Sequence, residues 1–132
     1  MARVIVVHHD PRVAAEQAGM LRVLGYEVET CGGPAAEPCP VLDDHPCPIA
    51  DGADVLVYDA WAAGDSDGGR QLVAHLRDLY ADLPLVLTAV DGSLSWVERE
   101  GPERVIPLPE RPDADRLAAA VAAALADQGM AV

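Results

Sequence analysis

Six side chains with soft or borderline metal-ligating atoms lie in the first half of this sequence: His8, His9, Cys31, Cys39, His45 and Cys47. The three cysteines are spaced eight residues apart, and one histidine lies two residues before the last of them. Thiolate and imidazole are ligands suited to Zn²⁺ and other borderline metals. An iron–sulfur cluster held by three cysteines and one histidine is an alternative on the same grounds. The pattern therefore indicates a candidate metal site.

The cysteine spacing leaves other interpretations open. Zinc sites usually contain two cysteines only two to four residues apart, and this sequence has no such pair. The even spacing can instead reflect a duplicated unit, because a Cys-Pro pair begins at Cys39 and again at Cys47. The thiols are then free or structural, or Cys39 and Cys47 form a redox-responsive disulfide. An odd number of cysteines excludes a framework in which all of them are paired.

Short apolar runs predict the strands that position these side chains. Arg3–Val7 is rich in β-branched residues and predicts a strand buried on both faces. Further strands are predicted at residues 26–31, 54–58, 84–89 and 105–108.

Capping residues and helical spacing predict three helices between and after these strands. The first begins at Asp10-Pro11, an N-cap followed by a proline at the first helical position, and ends at Gly25. The second, at residues 69–79, is amphipathic. The third follows the N-cap Asp113 and is rich in alanine and leucine, over Ala114–Asp127.

The segment between the second and third strands breaks this alternation. Residues 31–52 contain five prolines, too many for a regular helix: Pro34, Pro38, Pro40, Pro46 and Pro48. We therefore predict an irregular loop rich in proline and cysteine where a crossover helix would otherwise lie.

Strands that alternate with helices predict an α/β fold, a doubly wound parallel sheet with helices on both faces. In such sheets the working site lies beyond the carboxyl ends of the strands. At that edge we expect His8, His9, Asp10, Cys31, Asp59, Thr88 and Glu110.

Composition excludes several classes of protein. The 132 residues fit one domain, 1–132. Twenty-two acidic and nine basic side chains give a net charge of −13, which repels phosphate backbones and excludes nucleic acid as a partner. No apolar run reaches the length of a membrane span, and the N-terminus does not resemble a signal peptide. We therefore expect a cytoplasmic protein without a membrane partner.

Four segments, in this order, resemble the receiver domains of bacterial response regulators. They are the first strand with the residues after it, the strand that leads to Asp59, the strand that contains Thr88, and residues 108–117. The resemblance covers nearly the whole chain and implies a flavodoxin-like fold with five strands in the order 2-1-3-4-5. It also implies that Asp59 is the phosphate-accepting aspartate and that the Thr88 hydroxyl hydrogen-bonds the phosphoryl group.

The sequence departs from the family pattern where receiver chemistry is carried out. The resemblance implies Mg²⁺ bound by paired acids after the first strand and by the phosphoacceptor. Here His8 and His9 replace the pair, so that Mg²⁺ would depend on Asp10 and Asp59. The lysine that neutralises the phosphoryl oxygens aligns with Glu110, whose carboxylate would repel them. We therefore expect inefficient phosphorylation.

Three functions are consistent with these observations. The leading hypothesis is a stand-alone pseudo-receiver of two-component signalling, that is, a receiver-like domain without efficient phosphorylation. Such a domain is not an enzyme and acts through a protein partner, a sensor kinase or a downstream regulator. The chain ends at Val132 soon after the last predicted helix, so no output domain is expected. The second is a metal- or redox-sensing domain that uses the cysteines and the histidine of the proline- and cysteine-rich loop, residues 31–52. The third is a genuine phosphoreceiver in a phosphorelay, with autophosphatase chemistry at Asp59. A homodimer is compatible with each of them.

Overall fold

Strands and helices alternate along the chain. The computed structural model describes residues 2–31, 52–60, 70–89, 95–100, 104–109 and 112–127. Within these ranges lie β1 (Arg3–Val7), α1 (Pro11–Val23), β2 (Glu27–Cys31), β3 (Val55–Asp59), α2 (Arg70–Leu79), β4 (Leu85–Ala89), α3 (Ser95–Glu100), β5 (Val105–Pro109) and α4 (Ala114–Asp127). The strands predicted from the apolar runs agree with these bounds within one residue at each end.

The five strands form one parallel sheet in the order β2-β1-β3-β4-β5. This order confirms the predicted doubly wound, flavodoxin-like fold class. The register places Val7 of β1 opposite Cys31 of β2 on one side and opposite Tyr58 of β3 on the other. Asp59 at the end of β3 lies opposite Thr88 of β4. The carboxyl ends of four strands therefore meet at one edge.

The sheet separates two apolar cores. Alternate residues of β1 face opposite sides, so Ile5 packs in one core and Val6 in the other. The first core includes Trp96 of α3, and the second includes Leu21 of α1 and Leu117 of α4. Because both faces are covered, the central strands are buried along their length and appear in the sequence as continuous apolar runs.

The caps of α1 position the end of β1 relative to the helix. Asp10 is the N-cap, and its side chain accepts a hydrogen bond from the backbone N–H of Arg12 at 2.9 Å. At the other end Gly25 has a φ of +95°, and its N–H donates to the Arg22 carbonyl. The N–H of Tyr26 donates back to the Leu21 carbonyl, which completes a Schellman motif. Both capping predictions are confirmed.

One helix was absent from the sequence-based prediction. α3 has six residues, too few for a periodic apolar pattern, and its Trp96 and Val97 are buried in the first core. Most of the proline- and cysteine-rich segment, residues 32–51, lies outside the described residues, so the predicted loop stays a prediction. The helices that are described do not include one with both the length and the apolar character needed to span a bilayer.

Replacing Leu21 with alanine should lower the free energy of unfolding by about 2–5 kcal/mol, because Leu21 is fully buried between α1 and the sheet. Val23, two residues further along the same helix, is 87% exposed. The matched Val23→Ala variant should change stability by no more than about 0.5 kcal/mol. Urea unfolding followed by circular dichroism measures both values. Similar losses in the two variants would contradict the assigned inward face of α1.

Candidate functional site at the carboxyl edge of the sheet

The parallel pairing of β1 with β3 brings His8, His9 and Asp59 together. Val7 is the last residue of β1 and lies opposite Tyr58, so the residues that follow each of them are neighbours at the edge. On the other side of β1, the backbone N–H of His8 donates to the Cys31 carbonyl at 3.1 Å. The prediction that these residues share the carboxyl edge of the sheet is confirmed for His8, Cys31, Asp59 and Thr88.

Asp59 is a buried carboxylate, with 1% of its surface exposed. Its Oδ2 accepts a hydrogen bond from Nδ1 of His9. Its Oδ1 is buried and has no hydrogen-bond partner among the described residues. A buried charge with half of its hydrogen-bonding capacity unused is unfavourable. Asp59 therefore depends on the groups that approach it from the end of β1.

His9 connects this buried carboxylate to solvent. Its side chain is 45% exposed, whereas its Nδ1 atom contacts Oδ2 of Asp59. An ionised carboxylate can only accept hydrogen bonds, so Nδ1 of His9 carries the proton and donates it. His9 is therefore the side chain that hydrogen-bonds the buried Asp59 carboxyl group from the solvent side.

His8 is held in a different state from its neighbour. It is 3% exposed, and its Nδ1 accepts the backbone N–H of Asp10 at 3.0 Å. The acceptor role places the ring proton on Nε2 and leaves the imidazole neutral. The 3.8 Å separation between Nδ1 of His8 and Oδ2 of Asp59 is consequently not an ion pair. The two imidazoles stack, with ring centroids 4.8 Å apart and planes inclined by 22°.

These three side chains form the metal-ligand-type group in the described part of the chain. One candidate ligand atom from each of His8, His9 and Asp59 lies within 4.8 Å of the other two. Asp10 is the N-cap of α1, and neither it nor Cys31 belongs to this group. Mg²⁺ prefers oxygen ligands in an octahedral array. A donor set of two imidazoles and one carboxylate does not fit that ion.

Several candidate residues lie outside the described ranges: Cys39, His45, Cys47 and Glu110. A Zn²⁺ site or iron–sulfur cluster that uses the cysteines, and the placement of Glu110 near a phosphoryl group, stay predictions. The sequence analysis did not anticipate the direct hydrogen bond between His9 and Asp59. The available signal was the strand order, since β1 beside β3 places the two residues at adjacent strand ends.

The chain is similar in sequence to one curated protein described below. No protein-family model matches the chain. The Two-component response regulator ARR11 of Arabidopsis thaliana is 37% identical over 95 residues, which cover 72% of this chain and 17% of ARR11. The chain belongs to the receiver domain family of response regulators. This receiver domain therefore spans a small part of the length of the curated relative that it matches.

Solved structures show the same fold. A receiver domain protein from Clostridium thermocellum superposes with a TM-score of 0.78 over the full length of both chains, at 16% identity. A CheY-like receiver domain protein from Methanospirillum hungatei gives 0.70 at 16% identity, covering 100% of this chain and 99% of the other. Full-length FixJ from B. japonicum gives 0.75 at 20% identity over 98% of this chain and 60% of FixJ. At these identities the likeness shows a shared fold.

The two histidines should give different NMR signatures, because one accepts and the other donates at Nδ1. Nitrogen-15 multiple-bond spectra should report a neutral ring with the proton on Nε2 for His8 and a protonated Nδ1 for His9. The His9→Gln variant assigns the signals. A proton on Nδ1 of His8 would contradict the hydrogen bond from Asp10.

Replacing His9 with alanine should lower the free energy of unfolding by about 1–3 kcal/mol, because neither oxygen of the buried Asp59 carboxylate would then have a hydrogen-bond partner among the described residues. The exposure of His9 places the value toward the lower end of that range. In an Asp59→Asn background the same substitution should cost less, because no charge is left to compensate. Denaturant unfolding of the four proteins measures the difference, and equal losses in both backgrounds would argue against direct pairing.

Proposed function

We propose that this receiver domain regulates a protein partner through its folded surface, without efficient transfer of phosphate to Asp59. The hydrogen bond from His9 to Oδ2 of Asp59 carries the proposal. That bond occupies one of the two oxygens that could accept a phosphoryl group. The other oxygen is buried in a residue with 1% exposure.

The electrostatics of the edge support the same conclusion. Phosphoryl transfer spreads negative charge over three equatorial oxygens and needs cations in place to stabilise it. His8 is neutral, and the donor set around Asp59 does not fit Mg²⁺. In the described ranges, the hydrogen bond to Asp59 comes from His9, whose Nδ1 proton is already committed to the carboxylate. In the alignment that the resemblance implies, Glu110 stands where the family has a lysine.

A protein partner is consistent with both family and charge. Receiver domains interact with other proteins such as kinases and effectors. The net charge of −13 favours a partner with a basic contact surface and disfavours nucleic acid. We infer that the partner is a sensor kinase or a downstream regulator, with a homodimer as an alternative. Such a partner should bind the Asp59→Asn variant as tightly as the wild type.

A second candidate, a genuine phosphoreceiver, is supported by one observation. Thr88 lies opposite Asp59 in the register of β3 and β4, and both residues are 1% exposed. A hydroxyl residue in this place matches the family position that contacts the phosphoryl group. The two candidates differ in whether Asp59 reacts when Mg²⁺ is supplied.

Incubation with acetyl phosphate and Mg²⁺, followed by intact mass measurement, should leave the wild-type chain unmodified. The variant His8→Asp/His9→Asp/Glu110→Lys restores the family pattern at three positions and should be phosphorylated at least about 100-fold faster, because charge-stabilising groups contribute roughly that much each. Adding Asp59→Asn to the triple variant is the control and should abolish the gain.

Two outcomes would overturn the proposed function. One is a wild-type chain phosphorylated as fast as the triple variant, with the modification lost in Asp59→Asn. The other is a wild-type chain that binds beryllofluoride with Mg²⁺ and shows Asp59-dependent changes in its NMR spectrum. Either result would favour the genuine phosphoreceiver.

A further inference from the structure

We propose that His8, His9 and Asp59 form a binding site for a borderline transition-metal dication, with Zn²⁺ as its representative, in the place where the family binds Mg²⁺. The site uses none of the cysteines. It shares Asp59 with the proposed function, but it is supported by separate observations and tested by a separate measurement.

Donor chemistry selects the class of ion. Imidazole nitrogen suits Zn²⁺, Cu²⁺, Ni²⁺ and Fe²⁺, whereas Mg²⁺ is bound by carboxylate, carbonyl and water oxygens. Two histidines and one carboxylate are also a common set for an open zinc site, in which water fills the fourth position. The exchange of two acids for two histidines therefore changes the preferred metal and does not simply remove the site.

The separation between His8 and Asp59 suits two ligands of one ion. Two ligand atoms on a tetrahedral Zn²⁺ lie roughly 3.4 Å apart, given bonds of about 2.0–2.1 Å. Nδ1 of His8 is 3.8 Å from Oδ2 of Asp59. Nδ1 of His9 is closer, because a proton rather than an ion lies between it and Oδ2. The exposed His9 ring can move outward as the ion replaces that proton.

His8 can bind the ion when its Nδ1 atom exchanges the hydrogen bond from the Asp10 N–H for a bond to the metal. Its Nδ1 lone pair accepts the Asp10 N–H, and the same nitrogen lies 3.8 Å from Oδ2 of Asp59. Coordination at Nδ1 keeps the tautomer that the hydrogen bond has already selected, with the proton on Nε2. The ring therefore needs no proton rearrangement to become a ligand, and the exchange costs one hydrogen bond.

The unpartnered oxygen of Asp59 is an independent observation that points to a cation. Oδ1 is buried in a residue with 1% exposure and has no hydrogen-bond partner among the described residues. A dication beside this carboxylate would compensate its charge from within the buried edge. The half-exposed His9 approaches the carboxylate only from the solvent side. Metal binding should consequently stabilise the fold.

Calorimetric titration of the full chain, freed of metal by chelator and dialysis, tests the site with Zn²⁺ alone and with Mg²⁺ alone. We expect one equivalent of Zn²⁺ to bind at least about tenfold more tightly than Mg²⁺ and to raise the melting temperature. His9→Gln and Asp59→Asn should each weaken Zn²⁺ binding at least about tenfold, since a ligand is lost. Circular dichroism confirms that both variants are folded.

Two matched controls separate this site from other donors in the chain. His75→Gln removes a histidine on α2, and Cys39→Ser/His45→Gln/Cys47→Ser removes the thiol and imidazole donors of residues 32–51. Both should bind Zn²⁺ within about twofold of the wild type. Co²⁺ provides a second readout on the wild-type chain: its visible bands should appear without the thiolate charge-transfer absorption that cysteine ligands produce.

The site is refuted by absence of stoichiometric Zn²⁺ binding, by binding that survives in both His9→Gln and Asp59→Asn, or by a thiolate band with Co²⁺. Failure here is distinct from failure of the proposed function. Zn²⁺ binding together with rapid phosphorylation of the metal-free chain in Mg²⁺ would overturn the proposed function alone. Absence of both would overturn the metal site alone.

Discussion

The buried carboxylate of Asp59 sets the conditions for every other group at the carboxyl edge of the sheet. The residue ends β3 and is 1% exposed, so its charge is removed from water by the strands on either side of it. A buried ionised carboxylate persists only where a nearby group compensates its charge. The receiver family provides that compensation with Mg²⁺ and a lysine. In this chain an imidazole donates a hydrogen bond to Oδ2 from the solvent side.

The fold is largely independent of this local chemistry. The sheet is held by apolar contacts on both faces, such as those of Val6 with one core and Ile5 with the other, and these contacts carry no charge. Fold and site can therefore diverge separately. This explains how a chain can superpose with a TM-score of 0.78 on a receiver domain of only 16% identity. The fold fixes the position of Asp59 at the end of β3, and the neighbouring side chains set its chemical environment.

The sequence was sufficient for the features that depend on local physics. Continuous apolar runs predicted the strands, and Asp10 and Gly25 predicted the ends of α1, because capping involves residues only a few positions apart. The helix α3 was missed, since six residues are too few to establish a period. The hydrogen bond between His9 and Asp59 was beyond reach for another reason. It joins residues 50 positions apart, and it depends on strand order and on the direction of each imidazole.

The two adjacent histidines differ in burial and in hydrogen bonding. This difference decides which group each of them can bind. His8 is buried, and its Nδ1 accepts the Asp10 N–H, so a cation could bind this nitrogen only in exchange for that hydrogen bond. His9 is half-exposed, and its Nδ1 either holds a proton against Asp59 or offers a lone pair to a metal ion. These two conditions of His9 exclude each other, and a phosphoryl group on the same oxygen would exclude both. Proton, metal ion and phosphoryl group would therefore compete for Oδ2 of Asp59, and under the proposed function the two histidines favour the proton and the metal ion over phosphate.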